Sequence, residues 1–197
     1  MWRKNRSVAH VSERVCTCTA IHTALESKWR HTVTELAPGL FVTGEPEPEE
    51  FSERHLAWAI LGVDLVIDLT FGVHADFDPH GLSVINHPET DDGSRKPLEW
   101  FDDVVSATRQ NSTLIYCHTG TSCGPSAAFA VLLDRGYNEF DALDCIFTAR
   151  PIVTLTYTPE AMEWRFGLQN LAERADRLES YKHHLLTRAG CAMREIE

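Results

Sequence analysis

The chain has 197 residues, 43% of them hydrophobic and 24% charged, with a formal net charge of −11. That length suits one domain with a single sizeable core, and the charge excludes broad binding to nucleic acid or an anionic membrane, both of which need a basic surface. A small phosphorylated ligand held by a local dipole is not excluded, and no apolar run approaches the roughly 18 residues of a membrane span.

Residues 1–34 are polar and mixed and read as an N-terminal extension, with one amphipathic helix expected over Val15–Trp29. The opening M-W-R-K-N-R is basic, but no adequate apolar segment follows, so a secretory leader is not expected and the cytoplasm is the default setting. There the cysteines at 16, 18, 117, 123, 145 and 191, which lack scaffold spacing, are expected to be mostly thiols. Cys16, Cys18 and His22 lie close together, yet no second C-x-x-C or H-x-x-H pair completes a tetrahedral site. No metal and no other cofactor is expected.

Leu40–Thr43 reads as a strand closed by Gly44, and E-P-E-P-E-E as a solvated acidic turn. Phe51, His55, Trp58 and Leu61 have helical spacing, with Gly62 as the stop. Val63–Thr70 is β-branched and apolar at nearly every position, which predicts a central strand covered on both faces. Leu82–Ile85 is a shorter strand leading to Asp91 and Asp92. Pro97 suits the first position of a helix whose stripe is Leu98, Phe101, Val104, Val105 and Thr108. Thr113–Tyr116 reads as a strand, Pro125 as a first-turn proline, Asn138–Thr148 as a helix, and Pro159 to about Ala189 as one long last helix. In that helix Trp164, Leu168, Leu171, Ala175, Leu178 and Leu185 recur at spacings of three, four and seven. Packing on its own domain is the first reading, and a self-association seam, weakened by Lys182, is the alternative. The alternation predicts an α/β fold, a central mostly parallel sheet flanked by helices, over residues 35–190 with a tail at 191–197.

Between the strand at Thr113 and the helix at Ala127 lies C-H-T-G-T-S-C-G-P-S, residues 117–126. A cysteine ending a strand, then a short loop with a glycine, then a helix, gathers backbone amides and a helix N-terminus at one spot. Such a field favours an oxyanion and is expected to lower the cysteine pKa, making Cys117 a nucleophile.

The segment resembles the signature loop H-C-x-x-G-x-x-R-S/T of the cysteine-dependent protein tyrosine and dual-specificity phosphatases. Cys117 takes the nucleophile position and Gly120 the loop glycine, while Cys123 stands where the family has its phosphate-gripping arginine, Gly124 where it has a hydroxyl and Tyr116 where it has a histidine. The resemblance extends in order from Leu36 to Trp164: L-A-P-G-L-F-V-T-G, then H-L-A-W-A-I-L-G-V-D-L-V-I-D-L, then H-P-E-T-D-D, then Arg150-Pro151-Ile152. It implies a compact phosphatase fold in which His118, Thr119, Gly120, Thr121, Ser122, Cys123 and Gly124 line a phosphate-binding loop. It also implies Asp91 as the general acid, with Asp92 the near alternative.

The implied function is hydrolysis of phosphotyrosine, extending to phosphoserine and phosphothreonine, through a cysteinyl-phosphate without a metal. Losing a bidentate guanidinium forfeits on the order of 3–5 kcal/mol of barrier lowering, which favours the rival reading of a pseudophosphatase. A third reading makes Cys117 and Cys123 a thiol redox or oxyanion-reducing pair. The expected partner is a phosphorylated protein or small oxyanion, not nucleic acid or membrane. His118 as a cation near the anion, and Ser122 and Ser126 as donors, are lesser candidates, and Arg150 reads as a structural helix-end residue.

Overall fold

The computed structural model describes residues 30–72, 81–168 and 171–188, with the backbone of the last helix continuing to residue 194. The Val15–Trp29 helix and the Cys16, Cys18 and His22 group lie outside the described residues. In chain order the elements are β1 (Thr34–Ala37), β2 (Leu40–Gly44), α1 (Phe51–Ile60), β3 (Leu65–Asp68), β4 (Ser83–Asn86), α2 (Leu98–Thr108), β5 (Thr113–Cys117), α3 (Cys123–Asp134), α4 (Glu139–Ala149), α5 (Thr158–Phe166) and α6 (Leu171–Arg194).

The strands form one sheet in the order β1-β2-β5-β3-β4. β1 runs antiparallel to β2, and the other pairings are parallel. Successive side chains in a strand point to opposite faces, and here the alternation divides two cores. Leu40, Val42, Leu65, Ile67, Ile115 and Cys117 join the larger core with α2 to α6. Phe41, Val66, Leu114 and Tyr116 face the smaller one, where Trp58 of α1 is the anchor. The expected layering on both faces is therefore present but lopsided.

α3 is buried from Cys123 to Leu133, and its Ala127, Ala128 and Ala130 allow close approach of neighbouring elements. A helix apolar on every side belongs in the centre of a core. This one runs from the end of β5, the central strand, so the loop joining them sits at the carboxyl end of the sheet. Open α/β sheets place their ligand sites there.

Several expectations need correction. The Val63–Thr70 run is a strand only over Leu65–Asp68 and is one place from the edge; β5 holds the centre. β1 was not expected, because its polar Thr34 and Glu35 disguise a four-residue strand, buried at Thr34, Leu36 and Ala37, in a mixed stretch. Pro97 caps α2 with extended backbone (ψ 145°) instead of occupying its first turn. The long last helix is two helices, since Gly167 has φ 69° and ψ −169°, a conformation that ends α5. Leu178 and Leu185 of α6 are buried in the chain's own core, Lys182 Nζ donates to the Leu155 carbonyl at 3.4 Å, and Arg174 pairs with Glu139 of α4 at 3.0 Å. Of the residues flagged as a self-association seam, Leu178 and Leu185 are thus engaged within the chain, while Leu168 is exposed. Among the described residues no helix is long and apolar enough to cross a membrane.

Candidate functional site

Cys117 ends β5 with its side chain in the larger core, 3% exposed, at the floor of a cavity of about 240 Å³. Tyr116, one residue earlier, points to the other face and packs on Trp58. From Cys117 the chain turns through His118–Ser122 into α3, and the way this turn is held decides what it can do.

Its carbonyls are tied down one after another by backbone and side-chain donors from neighbouring segments. Glu45 N donates to the carbonyls of Cys117 (2.9 Å) and His118 (3.3 Å). Arg150 Nε donates to the Gly120 carbonyl at 2.7 Å. Thr154 donates to the Thr121 carbonyl through its amide at 2.8 Å and its hydroxyl at 3.2 Å. Ser126 N takes the Ser122 carbonyl at 3.0 Å, closing the first turn of α3. With carbonyls turned away, the amides of Gly120, Ser122 and Gly124 turn toward the Cys117 sulfur, where they favour its charged form. Successive inward amides of this kind form a nest of backbone donors.

Gly120 is obligatory for it. Its φ is 70°, and a Cβ there would strike Arg150 Nη2 and lie 2.7 Å from Gly44 N. At Gly124 a Cβ would meet Cys117 Sγ at 3.4 Å, which is tolerable contact.

The pocket side is different. Among the described residues lining the cavity are Glu45, Glu89 and Asp91, and none is lysine or arginine. Asp91 Oδ1 accepts from Ser122 Oγ and from Tyr157 OH, both at 2.8 Å, and the Cys123 thiol lies near enough to the same carboxylate to be pushed up by it. Asp92 instead accepts from Ser94 N at 2.8 Å in the turn at Gly93, facing solvent. Of the two aspartates, Asp91 is the one brought to the loop.

Burial pushes the Cys117 thiol up from its ordinary range, and Asp91 pushes the same way, against the three amides. The direction is opposite to the lowering expected: desolvation of the charged form outweighs the loop amides. Cys123, 1% exposed, is also pushed up by burial first, then by Cys117 and Asp91.

His118 stands 71% exposed with Nδ1 2.8 Å from Glu45 Oε2. Thr119 and Thr121 share a hydroxyl bond of 2.7 Å. Ser126 is fully buried, its hydroxyl accepting from Tyr157 N at 3.2 Å, so it does not serve the pocket. Ser122 Oγ is shared between Asp91 and Thr156.

Sequence reasoning missed the residues that frame Asp91. Lys96, with its side chain fully buried, donates to the Thr90 carbonyl, pairs with Glu89 at 3.4 Å and lies 4.4 Å over the Tyr157 ring. These groups come from separate segments, so no local pattern announces them. Arg150 is expected as a structural helix-end residue; its side chain reaches the loop and β1. Among the described residues no group of three or more His, Cys, Asp or Glu side chains converges to hold a metal.

No known family profile and no curated protein matches the sequence. Solved structures do. A mouse putative dual specificity phosphatase complexed with zinc tungstate matches with a TM-score of 0.60 and 21% identity, over 71% of this chain and 90% of that one. Human DUSP28 matches at 0.59 and 20%, over 70% and 95% of the two chains. The human tyrosine phosphatase-like serine/threonine/tyrosine-interacting protein matches at 0.56 and 14%, over 68% and 95%. The five-stranded sheet, its flanking helices and the loop at the end of β5 thus make up the fold of the dual-specificity and tyrosine phosphatases.

Proposed function

We propose that this protein is a pseudophosphatase, a phosphatase-fold module without turnover that engages a phosphorylated protein or small oxyanion through the Cys117–Gly124 loop. The observation that carries the reading is the contrast within one pocket. The inward amides are retained, while the described lining offers three carboxylates and no guanidinium or ammonium. Phosphoryl transfer to sulfur needs a thiolate and a cation where equatorial charge develops. Here burial keeps the sulfur protonated, and Cys123 stands where the family resemblance puts the arginine.

In the scheme that the resemblance implies, Cys117 would attack, the loop amides would hold the phosphoryl oxygens, and Asp91 would protonate the leaving oxygen and later activate water. The placement of Asp91 beside both thiols suits that acid. The redox reading draws on Cys117 and Cys123 lining the same cavity; with both thiols pushed up, little thiolate is present at neutral pH to start it. A cytoplasmic setting, where thiols stay reduced, belongs to the same proposal.

Hydrolysis of p-nitrophenyl phosphate tests the reading, with Cys117→Ser as the blank. The expected result is that the two rates coincide. Robust turnover that vanishes in Cys117→Ser would overturn it. Titration with inorganic phosphate should perturb the amide resonances of residues 117–126 only at millimolar concentration or above, because backbone donors remain while the charge clamp does not.

A further inference from the structure

Arg150 closes α4 and is completely buried, an expensive place for a guanidinium unless its donors are used. Its Nε donates to the Gly120 carbonyl at 2.7 Å, and its Nη1 is shared between the Thr32 carbonyl (3.0 Å) and Thr34 Oγ1 (3.2 Å). One flat group therefore joins the loop to β1 and to the segment entering it. In a planar trans peptide the C=O and N–H point in opposite directions. Holding the Gly120 carbonyl toward Arg150 aims the Thr121 amide away from Arg150, into the loop. On the other side of the same residue, the Gly120 amide turns toward the Cys117 sulfur. The guanidinium also lies flush against the loop, since a Cβ on Gly120 would collide with Nη2.

We propose that Arg150 is the positioning residue of this site: anchored by Thr32 and Thr34, it orients the Gly120–Thr121 peptide and stations a fixed positive charge behind the Cys117 sulfur. The groups facing that sulfur from the pocket are Asp91 and Cys123, with Glu45, Glu89 and His118 further along the wall. Arg150 is thus the counterweight to an acidic mouth. Burial draws its own pKa down to about 10, still charged at neutral pH, and its interaction with Cys117 favours the charged form. The inference rests on the Cys117 loop being the site, but not on the absence of turnover.

The experiment is alkylation of the folded protein with iodoacetamide at pH 7.5, with Cys117 scored against Cys145 in the same molecule by peptide mass mapping. A brace that is only structural would, once cut, expose the sulfur and speed its reaction. Removal of a positioning charge slows it. Arg150→Met and Arg150→Gln are expected to slow Cys117 relative to Cys145 by about tenfold, the effect of one pKa unit on the thiolate fraction. Arg150→Lys, which keeps the charge, should stay within roughly threefold of the parent. Relative rates in the neutral variants that are unchanged or faster overturn the proposal. Should both neutral variants fail to fold by circular dichroism, Arg150→Lys decides: a relative rate within threefold supports it, and a larger rise overturns it. Hydrolysis of p-nitrophenyl phosphate plays no part in this readout, so the pseudophosphatase reading stands or falls separately.

Discussion

The two sides of the Cys117–Gly124 segment were built to different standards. On the side facing the protein, the carbonyls of Cys117, His118, Gly120, Thr121 and Ser122 each meet a donor supplied by Glu45, Arg150, Thr154 or Ser126. On the side facing the cavity, the described lining has carboxylates and no cationic lysine or arginine side chain: Glu45, Glu89 and Asp91 line it, and the side chain at 123 is a thiol beside Asp91. Scaffold and chemistry are thus separable. A backbone shape needs only hydrogen bonds from behind, whereas charge stabilisation needs a particular side chain in front. The proposed pseudophosphatase reading rests on this separation: the backbone shape is kept and the cationic side chain is not.

The largest expected effect comes from restoring the front. Cys123→Arg should raise p-nitrophenyl phosphate turnover by roughly 10²–10⁴, and Cys117→Ser in that background should abolish the gain. No gain would show that the shape behind is not the one catalysis needs, which would erase the contrast.

Damage to the back should cost stability more than it alters chemistry. Gly120→Ala places a Cβ against Arg150 Nη2 and 2.7 Å from Gly44 N at φ 70°. The expected loss is about 3 kcal/mol, read as a lower midpoint in urea unfolding. A midpoint within error of the parent would mean that the loop can relax, and that its rear wiring is looser than its distances indicate.

The front also sets a pH dependence whose sign is definite. Burial raises the Cys117 pKa in the folded state. Its contribution to stability is therefore complete below the unfolded thiol value, about 8.5, and is lost as pH rises from there toward the raised folded value. Stability should fall on the alkaline side by about 1.4 kcal/mol per pH unit for each such thiol, and Cys117→Ser should flatten the slope. An unchanged slope in Cys117→Ser would assign the loss to other groups.

The smallest effect concerns Asp91, whose charge opposes thiolate formation at Cys117. Asp91→Asn should speed alkylation of Cys117 several-fold, on the order of 1 kcal/mol. Slower alkylation would mean that the hydrogen bonds from Ser122 and Tyr157 matter more than the charge they surround.

Much of this was legible in the residues themselves. The apolar runs Leu40–Thr43 and Thr113–Tyr116 and the helical stripe of Leu98–Thr108 are local patterns, and the elements formed where the patterns lie. So did the strand–loop–helix at Cys117, because a cysteine, a glycine and a first-turn proline at that spacing leave few backbone alternatives. Where the reading failed, a long-range contact or a single dihedral decided. A polar-looking Thr34–Ala37 became a strand by pairing with β2, and Gly167 cut one expected helix into two.

The candidate site divides along the same line. Sequence by itself determined its raw materials: which side chains line the loop, that position 123 carries a thiol, and that Asp91 and Asp92 follow β4. Tertiary structure alone decided that Asp91 turns to the loop while Asp92 turns to solvent, that Lys96 and Tyr157 stand around it, and that Arg150 reaches Gly120 from thirty residues away. It also reversed the electrostatics. Local sequence carries the loop amides, which pull a thiol pKa down, but burial is a property of the whole fold, and at Cys117 it is the stronger of the two.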